Sequence, residues 1–93
     1  MQTFNVKTQS RVELVDITGR VVDAVREADV GDGLAVVFVP HTTAGVTINE
    51  NADPSVARDI VKEMNKIVPF DDSYEHAEGN SAGHIKSSLF GPS

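Results

Sequence analysis

Apolar residues along this chain follow a short period first and a longer one later. Residues 3–8 set Phe4 and Val6 between polar neighbours, and residues 11–16 do the same with Val12 and Leu14. Such alternation is the pattern of half-buried strands, and Gln9-Ser10 between the runs reads as the turn of a hairpin. Residues 34–39, Leu-Ala-Val-Val-Phe-Val, form a continuous apolar run that Pro40 ends. A run of this kind predicts a central strand covered on both faces, the most buried element of the protein. Residues 45–49 alternate Val46 and Ile48 with Thr47, which predicts a second, half-buried strand beside it.

Elsewhere the period is helical. Thr18 can cap a helix over residues 19–28, where Val21, Val22, Val25 and Ala28 share one face, and Gly31-Asp32-Gly33 stops it. Asp53-Pro54 is a strong helix start, because the carboxylate accepts free backbone N–H bonds and proline's fixed φ suits the first turn. Val56, Ile60, Met64 and Ile67 then make an apolar stripe that reads as core and ends before Pro69. Residues 70–79 are acidic and loop-like. Asn80 or Ser81 can cap a last helix running through Leu89, with Ile85 and Leu89 as its apolar pair. About four strands and three helices predict an α+β class.

Composition narrows the functions. A chain of 93 residues, 40% hydrophobic and 24% charged, is of the size and kind that folds as one domain around one core. Its net charge of −6, with Lys and Arg scattered singly, offers no footprint for a phosphate backbone, so nucleic acid is not an expected partner. No apolar run reaches the roughly 20 residues that span a bilayer. The start MQTFNVKTQS lacks the basic-then-apolar order of a secretory signal, so no membrane partner and a cytoplasmic location are expected. With no cysteine, thiolate chemistry and disulfides are excluded, and any metal must be held by His and carboxylate.

The histidines are the main chemical clue, since all three sit among small polar or acidic residues. His41 follows a strand-ending proline, which would hold its imidazole at the rim of a sheet as a ligand or acid/base; a loop histidine bonded to Thr42 or Thr43 fits as well. His76 and His84 are eight residues apart, so they converge only if the loop between them folds back. Joined by His41, they would make a three-histidine zinc site with water as fourth ligand; three unrelated solvated histidines are the alternative. Lys86, near the N-terminus of the last helix, could take a phosphate or simply be solvated. Glu50 could be a general base or a partner to a ligating histidine, whereas Asp53 reads as the N-cap. Asp71-Asp72, Glu75 and Glu78 lack the order of a calcium loop and read as a solvated acidic loop.

Two segments carry a resemblance. The run from His41 to Pro54 (HTTAGVTINENADP), then His76-x-Glu78-Gly79-Asn80-x-x-x-His84-x-Lys86 and Gly91-Pro92-Ser93, resembles the YjbQ-like family, also described as secondary thiamine-phosphate synthases. The likeness extends over nearly the whole chain, including the early Val-Glu-Leu-Val-Asp-Ile-Thr. It implies a single YjbQ-like α+β domain over residues 1–93, β-sandwich-like with mixed or antiparallel sheets and two to three short helices, assembled as a homotrimer. It also implies a polar pocket in which His41, His76 and His84 hold a divalent metal, with His41, Glu50 and His84 catalytic and Thr42, Thr43, Asn80 and Lys86 binding substrate. The attached activity joins a pyrophosphorylated pyrimidine to a phosphorylated thiazole.

Pyrophosphate departure suits magnesium, whereas histidines suit zinc, so zinc is favoured and magnesium is the alternative. The expected function is therefore a metal- or histidine-site enzyme acting on a phosphorylated small molecule, as a transferase with thiamine-phosphate synthase side activity or as a metal-dependent hydrolase. A non-catalytic, trimeric metal- or metabolite-binding module is the competing expectation. Family members continue past the Gly-Pro-Ser turn with further strands, one bearing a tryptophan, whereas this chain has no Trp. The resemblance thus implies an incomplete C-terminal part and an open sheet edge that depends on neighbouring chains.

Overall fold

Three helices form near the expected positions, but only Asp53 makes its side-chain cap bond; Thr18 lies inside the first helix, behind Ile17, and does not cap it. The computed structural model describes residues 1–93 and contains α1 (Thr18–Ala28), α2 (Pro54–Ile67) and α3 (Ser81–Phe90). The chain forms two compact units, Met1–Val37 and Phe38–Ser93. The first holds α1; the second holds α2, α3 and every histidine.

In the first unit, the Asp16 carboxylate accepts from the Thr18 N–H at 2.9 Å, just ahead of α1. Bonds from Thr18 hold this acid below its ordinary value. The helix stops at Asp29, whose left-handed φ of 54° turns its N–H onto the Arg26 carbonyl. The stop thus precedes the expected Gly31-Asp32-Gly33 signal, because an aspartate tolerates the left-handed region better than most residues. The N-terminal segment is tied to α1 by the Gln2 side-chain amide donating to the Ala24 carbonyl at 2.9 Å and by the Arg20 guanidinium 4.6 Å from the Phe4 ring centre.

In the second unit, Asp53 caps α2: its Oδ1 accepts from the Ser55 N–H at 2.9 Å and from the Ser55 hydroxyl at 2.8 Å, with Pro54 at the first helical position. Val56, Ile60 and Met64 are half-buried, but Ile67 is 61% exposed, so the stripe turns off the core at its end. Val68, next in sequence, is buried instead. On α3 the inward face is Ala82 and Lys86, one turn apart and both buried; Ile85 and Leu89, the expected pair, are exposed. The Lys86 ammonium donates to the Asn65 Oδ1 on α2, which links the two helices.

The expectation of an α+β, β-sandwich-like fold is overturned: the structure has three helices and no strand. A strand requires a partner whose carbonyls and amides alternate with its own. Residues 34–39 and 45–49 show only isolated backbone bonds to the C-terminal turn, Val39 N–H to the Pro92 carbonyl at 2.7 Å and Val46 N–H to the Gly91 carbonyl at 3.0 Å. Residues 3–8 and 11–16 make no ladder either; in place of a hairpin the Gln9 N–H donates to the Glu13 carboxylate. The run expected to be most buried is bare on one side, with Leu34 93%, Val36 75% and Phe38 63% exposed, and Ile48 is 97% exposed.

Candidate functional site

The return of the chain from His76 to His84 depends on one glycine. The Gly79 N–H donates to the His76 carbonyl at 3.3 Å, closing a tight turn, and Gly79 has a φ of 74°, which a side chain would oppose. The turn delivers the chain to Asn80 and the first turn of α3. His84, inside that helix, thereby meets His76, with ring centres 5.3 Å apart and ring planes at 86°. A Glu78 carboxylate oxygen stands 3.7 Å from His76 Nε2.

These two histidines line a cleft of about 640 Å³ with Ser73, Tyr74, Glu75 and Ser81. Its far wall is fixed by Tyr74, whose hydroxyl donates to the Pro69 carbonyl and whose N–H donates to the Asp72 carbonyl. Desolvation, then the Asp72 charge, raises the Tyr74 pKa and keeps this hydroxyl a donor. Asn80 begins α3 without a side-chain cap bond, and its Oδ1 is buried with no donor facing it. The amides of Ser81 and Ala82 open the helix, where no preceding turn supplies them an intrahelical acceptor.

His41 lies elsewhere. Its N–H donates to the Val39 carbonyl across Pro40 at 2.9 Å, and its Nδ1 accepts from the Thr43 N–H at 3.0 Å, with the Thr43 hydroxyl 3.1 Å away. Thr43 packs on α3 at Gly83, where an added Cβ would come within 3.2 Å of the Thr43 Cβ. The loop is held further along by the Ser87 hydroxyl donating to the Ala44 carbonyl at 2.7 Å. His41 and Thr42 line a second cleft, of about 510 Å³, with Phe38, Val39, Pro40 and Pro92.

The predicted site residues are thus divided. His76 and His84 are together, with Asn80 and Ser81 at the adjoining helix start; His41, Thr42 and Thr43 form a separate loop, joined to α3 by the Thr43–Gly83 contact. Lys86 is directed to Asn65, and burial lowers its pKa. Glu50 is exposed, its N–H bonded to the Asn49 Oδ1, and it lines neither cleft. No group of three or more His, Cys, Asp or Glu is placed to hold a metal ion. Sequence reasoning did not single out Tyr74 or Asn65 and treated Glu78 as one of several solvated acids. Glu78's position two residues after His76 was the available signal; the contacts of the other two are tertiary.

The pair itself can be tested against metal geometry. Zinc sits about 2.0–2.1 Å from an imidazole nitrogen, hence about 3.2 Å from the ring centre, and two rings on one tetrahedral ion have centres about 5.2 Å apart. The observed 5.3 Å matches that separation and is also an ordinary edge-to-face packing distance. His76 and His84 supply two nitrogen donors of the type that suits a borderline-soft divalent ion, two short of a tetrahedral set.

Comparison with known proteins gives a consistent family. The family described as UPF0047 protein YjbQ-like matches residues 2–93. A UPF0047 protein of Methanocaldococcus jannaschii is 54% identical over 88 residues, covering 95% of this chain and 64% of its own length. The UPF0047 protein YugU of Bacillus subtilis is 43% identical, covering 100% of this chain and 71% of its own. Among solved structures, an uncharacterized conserved protein of the same family from Clostridium acetobutylicum superposes with a TM-score of 0.90 at 55% identity, over 94% of this chain and 67% of the other. The chain therefore spans about two thirds of the length of these relatives. No helix is long and apolar enough to cross a membrane.

Proposed function

The chain belongs to the YjbQ-like UPF0047 family, and on that footing we propose that its His76–His84 cleft holds a divalent metal and binds a phosphorylated small molecule there. The observation that carries this reading is the edge-to-face imidazole pair at 5.3 Å. Zinc is the ion, because imidazole nitrogen suits it better than magnesium. Once bound, it would supply Lewis-acid polarisation of a phosphoryl oxygen.

The chain's own residues do the rest. His76 presents its ring from the turn closed by Gly79 and His84 from α3. Glu78, 3.7 Å from His76 Nε2, places a carboxylate charge beside that imidazole. Ser81, which lines the cleft at the start of α3, presents the positive end of the helix to a phosphate. The reaction class follows the family resemblance: transfer or hydrolysis at a phosphate ester, with thiamine-phosphate synthesis as a side activity.

A second reading, a trimeric metal- or metabolite-binding module without turnover, draws support from the bare apolar residues Leu34, Val36, Phe38 and Ile48, which self-assembly would cover. Calorimetric titration with zinc, followed by inorganic pyrophosphate, tests the site. The expected result is one zinc per chain, a pyrophosphate affinity that zinc raises, and loss of both effects in His76→Ala and His84→Ala. Zinc binding unchanged in both variants refutes the proposal. Incubating the zinc-loaded protein with the pyrophosphorylated pyrimidine and the phosphorylated thiazole separates the readings, since product formation supports the enzyme and binding without product supports the module.

A further inference from the structure

His41 stands apart from the metal-holding pair, and its hydrogen bonding assigns it a different chemistry. A backbone amide can only donate. The Thr43 N–H is 3.0 Å from His41 Nδ1, so Nδ1 must present a lone pair, and in the neutral ring the proton is on Nε2. The Thr43 hydroxyl, 3.1 Å from the same nitrogen, can add a second donor to that lone pair.

Neither nitrogen is then free to ligate a metal. Nδ1 is occupied by Thr43. Ligation through Nε2 would move the proton to Nδ1, where it would face the Thr43 N–H donor to donor and forfeit that hydrogen bond. Relief by moving Thr43 is blocked, because that residue is seated against Gly83 and its loop is pinned at Ala44 by Ser87 and at Val46 by Gly91.

We infer that His41 is an Nε2–H hydrogen-bond donor to an oxygen acceptor of a bound anion, held in that tautomer by Thr43, and is not a metal ligand. The cleft it lines supports that role: Phe38, Val39, Pro40 and Pro92 give apolar walls, and His41 and Thr42 are its polar side chains. In a chain of net charge −6, a neutral donor adds a contact for a phosphoryl or carboxylate oxygen without needing a partner acid. The inference stands independently of the zinc reading.

Long-range nitrogen–proton correlation spectra of the imidazoles in uniformly ¹⁵N-labelled protein, at about pH 8 where an ordinary histidine is neutral, test it directly. The expected result is the Nε2–H pattern at His41. Adding zinc should shift the nitrogens of His76 and His84 and leave those of His41 in place; if zinc moves no histidine, the zinc proposal fails while an Nε2–H pattern at His41 still supports this assignment. Inorganic phosphate should shift His41 Nε2, and His41→Phe should weaken phosphate binding by about tenfold, with His41→Gln, which keeps an N–H donor, restoring most of it. An Nδ1–H pattern, a zinc-induced shift at His41 matching the other two, or no response of His41 to phosphate overturns the inference.

Discussion

Replacing Gly45 with alanine should uncouple the His41 loop from α3. A Cβ at Gly45 would lie 2.9 Å from the Gly91 carbonyl oxygen, 3.1 Å from the Phe90 Cβ and 3.4 Å from the Ser87 carbonyl oxygen. These are backbone and near-backbone atoms of a helix end, so no flexible side chain can yield and the loop itself must move. Moving it stretches the bond from the Val46 N–H to the Gly91 carbonyl, now 3.0 Å, and the bond from the Ser87 hydroxyl to the Ala44 carbonyl, now 2.7 Å. Forcing a methyl into a closed contact costs about 2 kcal/mol, and losing one such hydrogen bond costs about 1 kcal/mol. The total of about 3 kcal/mol corresponds to roughly a hundredfold change in a local opening equilibrium.

Amide exchange reads that opening residue by residue. The Val39 and Val46 amides, bonded to Pro92 and Gly91, should exchange about a hundred times faster in Gly45→Ala, while amides in the middle of α2 change little. Gly19→Ala is the control, because nothing lies within 4 Å of its added Cβ and the position is in α1; it should stabilise that helix by up to about 1 kcal/mol. Unchanged protection at Val39 and Val46 in Gly45→Ala would refute the close-packed junction.

Three further outcomes are expected. Gly79→Ala meets open space but must hold a φ of 74°, so it should cost about 1 kcal/mol and weaken zinc binding, and Gly79→Asn should cost less; equal zinc affinity in all three proteins would remove the turn from the account. Burial lowers the Lys86 pKa in the folded protein, so its charge is a cost at neutral pH that fades as pH rises through that lowered value toward the unfolded one; denaturant titrations should show stability rising with alkalinity, and Lys86→Met should abolish the rise. Bonds from Ser55 lower the Asp53 pKa below its ordinary 3.8, so the cap on α2 is fully present above that value and lost as pH falls through the lower one; Asp53→Asn should remove this acid-linked loss of helical circular dichroism.

Helix positions were readable from residues whose effect is local. Asp53 and Pro54 act within one turn, and the structure starts α2 where they direct. Strands were not, since the apolar run at residues 34–39 expresses a preference for extended backbone without stating which segment supplies its hydrogen bonds. In this chain the Gly91-Pro92 turn offers one bond to Val39 and one to Val46, and the Val39 carbonyl accepts only from nearby His41. The histidine pair was visible as an eight-residue spacing that needed a fold-back, and Gly79 provides it. The separation of His41 was not visible, because it rests on a short-range bond to Thr43 together with a contact between Thr43 and Gly83, forty residues along the chain. Asn65 as the partner of Lys86 is likewise a tertiary fact that no motif announces.

The most direct test of the metal-holding pair is a zinc-edge anomalous difference map from crystals of the protein grown with zinc. One peak per chain is expected, about 2.1 Å from a ring nitrogen of both His76 and His84, with no peak at His41. Absence of a peak between those two rings, or zinc bound at His41 instead, would contradict it.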